Sequence, residues 1–281
     1  MTVQSKSAVP TIGVFDSGFG GLTVLRALIE QLPRARFVFL GDSARLPYGS
    51  KSRRTVARYA VESAQFLVRE QGAEFLVIAC NSASALALDA IQEAVPVPVL
   101  GVIEPGAETA RAVSRTGDVL VVATEATVQS HAYAAACHAR GLRALEKACP
   151  LLVPLVEEGW TNHPVTAQVI DVYLKELRAE AAAQNLNPDT LVLGCTHYPL
   201  LRPLFEGAVR PGVRIIDSAE AVAQAAARVF DGSAAATTGG GSSAETEVHC
   251  FATDSVEKFE RLGSRFLNRP VGRVQLIDLG G

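Results

Sequence analysis

The chain reads as an α/β protein with two pseudo-symmetric, mainly parallel sheets and a cleft between them. Two observations predict this. Short apolar runs bounded by Gly, Pro or Asp alternate with amphipathic stretches, the pattern of parallel strands covered by helices. A weak internal repeat also lays "AEFLVIACNSASALAL" (73–88) over "PDTLVLGCTHYPLLRP" (188–203), with acid, apolar strand, small residue, Cys and polar residue in the same order.

The apolar runs, in order, are "TIGVF" (11–15), "RFVFL" (36–40), "FLVIA" (75–79), "VPVLGV" (97–102), "DVLVV" (118–122), "TLVLG" (190–194) and "VRII" (213–216). After the first, Leu22, Leu25, Leu28, Ile29 and Leu32 fall on one face of a helix. Upstream of each cysteine-bearing run sits another strand ending in small polar groups, "TIGVFDSGFGG" (11–21) and "DVLVVATEAT" (118–127). The break at Glu104-Pro105-Gly106 marks a boundary, so residues 1–104 plus 217–281 are expected to form one domain and 105–216 the other. The stretch 232–246, rich in Gly, Ser, Thr and Ala, reads as a linker loop that cannot pack a core. Beyond it, "EVHCFATDS" and "RVQLIDL" are expected to rejoin the first domain.

Bulk properties narrow the function. The 281 residues are 48% apolar with a formal charge of −3, so no basic face invites a phosphate backbone, and nucleic acid is not expected as the main partner. Five cysteines, Cys80, Cys137, Cys149, Cys195 and Cys250, are widely spaced without a CxxC pair, which suits reduced thiols in a cytoplasm. No apolar run approaches the roughly 20 residues of a membrane span, and "MTVQSKSAVP" has no apolar signal core, so it reads as a short leader.

In open α/β sheets ligands bind beyond the carboxyl ends of strands. The residues there are Asp16 and Ser17; Gly41 to Gly49, which include Pro47 and Tyr48; Cys80, Asn81 and Ser82; Thr124 and Thr127; and Cys195, Thr196 and His197. Two facing sheets would thus carry one thiol on each wall of a cleft, with Cys80 and Cys195 each where a strand hands over to a helix. A thiol can serve as nucleophile, metal ligand or proton-transfer base. His197, two residues after Cys195, could assist that thiol, and Asp16 could serve Cys80 similarly.

The remaining cysteines and His131, His138, His163 and His249 lack a polar cluster and read as structural. Cys195, His197 and Cys80 could supply three zinc ligands, but structural zinc sites usually show two tight pairs and only one exists, so no metal is expected. The "DSGFGGLT" loop (16–23) lacks the third glycine of a dinucleotide fingerprint, and no GK[ST] occurs. Its free backbone N–H groups could cradle a small anion such as a carboxylate.

Five ordered motifs, "GVFDSGFGGLTVL" (13–25), "GDSARLPYG" (41–49), "ACNSAS" (79–84), "PLVEEG" (154–159) and "GCTHYPLL" (194–201), resemble those of the glutamate racemase family across essentially the whole chain. The resemblance implies a cofactor-independent isomerase of the aspartate/glutamate racemase superfamily that feeds D-glutamate to peptidoglycan synthesis, acts on a small molecule and assembles as a homodimer. It makes Cys80 the base for D-glutamate and Cys195 the base for L-glutamate, with Asp16 assisting Cys80, His197 assisting Cys195, and Glu157, beside Glu158, in support. It assigns substrate contacts to Asp16, Ser17, Pro47, Tyr48, Gly49, Asn81, Ser82, Thr127, Thr196 and His197. Two departures are visible: Ser82 stands where the family usually has Thr, and Ala126 where it has Gly. The alternatives are a racemase of another amino acid such as aspartate, a non-catalytic regulatory protein on the same fold, or a thiol hydrolase needing only one cysteine.

Overall fold

A computed structural model describes residues 9–230 and 246–280. The linker expected over 232–246 lies outside them except for Thr246.

The first half of the chain runs β1 (Thr11–Asp16), α1 (Leu22–Gln31), β2 (Arg36–Gly41), α2 (Arg53–Arg69), β3 (Phe75–Ile78), α3 (Asn81–Ala94), β4 (Val99–Gly101) and α4 (Ile103–Val113). It continues through β5 (Asp118–Ala123), α5 (Glu125–Gln129), α6 (Ala132–His138), β6 (Arg143–Ala148), α7 (Leu152–Glu157) and α8 (Pro164–Ala183). Then follow β7 (Thr190–Gly194), α9 (Arg202–Ala208), β8 (Arg214–Asp217), α10 (Ser218–Val229), β9 (Val248–Ala252), α11 (Val256–Leu267) and β10 (Val274–Leu276).

Two parallel sheets result, ordered β10-β9-β2-β1-β3-β4 and β6-β5-β7-β8. The core order β2-β1-β3-β4 of the first recurs as β6-β5-β7-β8 in the second. The internal repeat therefore has a physical counterpart, because β3 and β7, which lead to Cys80 and Cys195, are equivalent strands. In each sheet the chain leaves the central strand (β1 or β5) on one side and returns on the other, and the crevice at such a reversal is where open sheets bind ligands.

The near-continuous apolar sequences of β3 and β7 follow from burial on both faces: Leu76, Val77, Ile78, Leu191, Val192 and Leu193 have no exposed surface. The amphipathic stretch at 22–32 forms α1 as expected, with Leu22, Leu25, Leu28 and Leu32 fully buried and Ile29 partly so. One strand escaped the sequence reading. β6, "RALEKA", lies at the edge of its sheet, where charged side chains are tolerated and discourage pairing with another chain, so it carries no apolar run. Among the described residues no helix is long and apolar enough to cross a membrane.

Because β7 holds Cys195 only through its packing, truncating its core should be felt globally. Leu191→Ala should lower the unfolding free energy by about 2–5 kcal/mol, as read from urea denaturation; a loss below about 1 kcal/mol would mean that the strand is not a packed post.

Candidate active site

One cavity of about 170 Å³ takes in the carboxyl ends of both sheets. Pockets for drug-sized ligands run to about 300–1,000 Å³, so this one suits a small metabolite. Cys80, Asn81 and Ser82 line it after β3, Cys195, Thr196 and His197 after β7, and Ser17 after β1. Pro47, Tyr48 and Gly49 line it from the segment after β2, and Glu157 from α7. Two of the expected residues do not reach its surface. Asp16 is buried at the end of β1, and Thr127 is buried in α5 behind Ser82 and Thr124.

The two thiols have different surroundings. Cys80 caps α3, accepting the Ala83 N–H at 3.4 Å, and its own S–H donates to Ser17 Oγ at 3.4 Å. A helix amino terminus favours thiolate, but burial, with the nearby charge of Asp16 adding to it, pushes the Cys80 thiol up to about 12. Cys195 heads no α-helix, contrary to the sequence reading. Its carbonyl accepts the Tyr198 N–H, and a 3-10 turn over Tyr198–Leu201, with Pro199 inside it, separates it from α9. Its partner is instead His197, whose Nδ1 lies 3.9 Å from Sγ.

His197 carries most of the site's electrostatics. Burial works against a charged imidazole, yet the adjoining Cys195 sulfur and Glu157 outweigh it and hold His197 up at about 10. The Glu157 contact spans 3.4 Å from Nε2 to Oε1, and Nε2 has no aligned hydrogen-bond acceptor, so this contact is an ion pair. For Glu157 the balance is the same: burial would raise its carboxyl, while His197 and Lys258, 3.7 Å away, hold it below the ordinary value. Neighbouring Glu158 points to solvent. Phe19 and Phe266 flank the imidazole, with ring centroids at 6.2 and 5.0 Å.

The glycine loop differs from its sequence reading. Gly18 N–H donates to Asp16 Oδ2 at 2.9 Å, and the Ser17 and Gly21 N–H groups also face that carboxylate, so the loop's donors are turned on its own aspartate. Burial nonetheless raises the Asp16 carboxyl, against the pull of His197 and these donors. The glycines answer to packing. A Cβ on Gly20 would stand 2.4 Å from Thr196 Oγ1 and 2.6 Å from His197 Nδ1, so only glycine lets this loop meet the segment after β7.

The hydroxyls of Ser82, Thr124 and Thr127 form a triangle, with Thr124 at 2.9 Å from each of the others and Ser82 at 3.4 Å from Thr127. Ser82 thus keeps the one group this contact needs. Ala126 lies within α5 and is not at positive φ, so no glycine is required there. Beneath the Pro47 segment, Tyr48 donates to the buried Asp42 carboxylate, which also accepts from Arg45 and from Thr253. That network ties the segment to the far end of the chain, and nothing in the local sequence announced it. The other wall, Pro150, Val153 and Pro154, also went unforeseen, because an apolar lining carries no chemical signature. Among the described residues no group of three or more His, Cys, Asp or Glu is arranged to hold a metal ion.

These features define a class in which acid/base side chains from two equivalent sheets meet across a small cavity. Residues 12–226 match the Asp/Glu/Hydantoin racemase family. A glutamate racemase from Koribacter versatilis is 52% identical to this chain, over 97% of it and 98% of the relative. Among solved structures, a glutamate racemase isoform from Bacillus anthracis superimposes with a TM-score of 0.86 at 35% identity, over 97% of this chain and 99% of its own. The Francisella tularensis glutamate racemase in complex with D-glutamate does so with a TM-score of 0.84 at 32% identity, over 97% and 99%. The chain belongs to the Asp/Glu/Hydantoin racemase family and, within it, to the glutamate racemases.

A His197 midpoint near 10, above the unperturbed 6.5, makes its pairing stabilising at pH values below about 6.5, with that contribution lost as pH rises through about 10. The His197 ring should stay protonated by NMR from about pH 6 to 8.5, and Glu157→Gln should lower its midpoint. Titration of the wild-type ring near 6.5 would contradict the pairing with Cys195 and Glu157.

Proposed function

We propose that this chain interconverts L- and D-glutamate without a cofactor, by proton transfer between two thiols on opposite faces of the α-carbon. The observation that carries this reading is the opening of Cys80 and Cys195 into one small cavity from equivalent strands of two equivalent sheets. Inversion removes a proton from one face and returns one to the other, which a single base does poorly and two opposed bases do directly.

In the direction from L-glutamate, Cys195 acts as thiolate. Its sulfur takes the α-proton, the C–H electron pair passes to the α-carbon and its carboxylate, and the Cys80 S–H delivers a proton to the other face. Cys195 ends as thiol and Cys80 as thiolate, so the reverse reaction from D-glutamate starts from the complementary state. The raised Cys80 midpoint suits it to hold a proton before this transfer. His197, its Nδ1 3.9 Å from the Cys195 sulfur, faces that base, and Glu157 helps keep His197 charged. Asp16 assists Cys80 and acts on it through charge, the direct hydrogen bond of that thiol going to Ser17.

The substrate rests on Ser17, Pro47, Tyr48, Gly49, Asn81, Ser82 and Thr196, while buried Thr127 acts through Ser82 and Thr124. In this reading the described residues within 1–104 plus 217–281, and residues 105–216, form the two domains that enclose the substrate. The product D-glutamate goes to peptidoglycan in the cytoplasm, and the chain works as a homodimer.

Cys80→Ala and Cys195→Ala should each cut racemisation by at least about a thousand-fold, with circular dichroism following L- and D-glutamate and, as a control, aspartate. A variant retaining substantial turnover would leave only one thiol in the reaction, and faster turnover of aspartate would change the substrate. In heavy water, early product from either enantiomer should carry deuterium at the α-carbon while unreacted substrate stays mostly protiated. Substantial retention of the original hydrogen in that product would point to a single shuttling base.

A further inference from the structure

Tyr133, on α6, has no exposed surface and was not singled out by any sequence motif. Its ring fills a space that two glycines leave open. A Cβ on Gly194 would lie 2.9 Å from Tyr133 Cε2, and one on Gly106 would lie 3.1 Å from Cε1. Gly194 ends β7 and immediately precedes Cys195. At its other end the Tyr133 hydroxyl donates to Asn81 Oδ1 at 2.7 Å, and Asn81 immediately follows Cys80 and lines the cavity. Asn81 Nδ2 in turn reaches Ser218 Oγ, the first residue of α10, at 3.3 Å.

A primary amide offers one acceptor oxygen and two N–H donors. With the oxygen taken by Tyr133 and one N–H by Ser218, the orientation of Asn81 is fixed, and one N–H remains for a ligand. Without the tyrosine hydroxyl the amide could turn over and present its oxygen to a carboxylate. A tyrosine that only filled the core would need its ring and nothing more.

We infer that Tyr133 is a positioning residue of the racemase site, holding the Asn81 amide donor toward substrate while its ring seats the glycine that precedes Cys195. The inference rests on the reading of Asn81 as a substrate contact. It also explains why a buried hydroxyl on α6 is spent on an amide on α3.

Tyr133→Phe keeps the ring and removes the donor. The KM for glutamate should rise roughly tenfold, the size of effect that follows when a buried acceptor loses its partner, with kcat nearly unchanged and a Tm lowered by no more than about 8 °C. In an Asn81→Ala background the same substitution should raise KM no further, because the amide it positions is gone. Ser218→Ala, which frees the amide from its other anchor, should raise KM in the same direction and serves if Tyr133→Phe folds poorly. An unchanged KM in Tyr133→Phe, or multiplicative effects in the double variant, would overturn the inference. A neutron crystal structure of Tyr133→Phe, which tells amide nitrogen from oxygen, decides independently of turnover: the Asn81 amide should have turned over or left Ser218, and an amide that keeps its N–H on Ser218 reduces Tyr133 to core packing. A wild type that fails to racemise glutamate would sink the proposed function, while this crystallographic result would still decide the role of Tyr133.

Discussion

The close approach of the loop after β1 to the segment after β7 is the contact on which the site depends. At Gly20 the loop lies so near that a single added carbon would overlap the side chains of Thr196 and His197. Thr23 Oγ1 reaches the Thr196 carbonyl at 3.2 Å, so the same junction is also hydrogen-bonded. The thiols sit on different sheets, and only a junction of fixed, short length gives them a common cavity. Close-packed backbone with glycine at its centre supplies this, because interiors at crystal-like density have little room to adjust.

The repeat makes the two sheets equivalent, yet the chemistry at their ends is not. Cys80 sits at a helix amino terminus beside a buried carboxyl, and burial dominates, keeping a proton on sulfur. Cys195 stands ahead of a 3-10 turn, beside an imidazole that remains charged although buried. A buried charge without a partner costs several kcal/mol, so the line from Cys195 through His197 and Glu157 to Lys258 stands or falls as a unit. One duplicated scaffold thus presents two thiols in different surroundings, one at a helix amino terminus beside a carboxyl and one beside an imidazole.

Contacts between the sheets are mostly small and polar at the cavity. The hydroxyl triangle of Ser82, Thr124 and Thr127 and the bond from Tyr133 to Asn81 both join the segment after β3 to the second sheet. Such bonds contribute about 1 kcal/mol each and fix the orientation of the groups they join.

The sequence by itself determined the strands and their ends. Period, apolar runs and punctuation by Gly and Asp depend on local physics, so β1, β3, β5 and β7 and the reactive residues just past them were legible from the chain. Five ordered motifs carried the family resemblance, and the repeat around Cys80 and Cys195 foretold two equivalent sheets. Edge strand β6 was not legible, since an edge needs no apolar run. Tertiary structure alone decided that Asp16 is buried beneath the cavity, that its own loop's N–H groups turn to it, and that Cys195 heads a 3-10 turn. It also decided the partners of His197, the anchoring of Tyr48 by Asp42 and the reach of Tyr133 to Asn81, 52 residues away in the chain. Burial and the identity of a charged neighbour are properties of the packed whole, and no local pattern of residues encodes them.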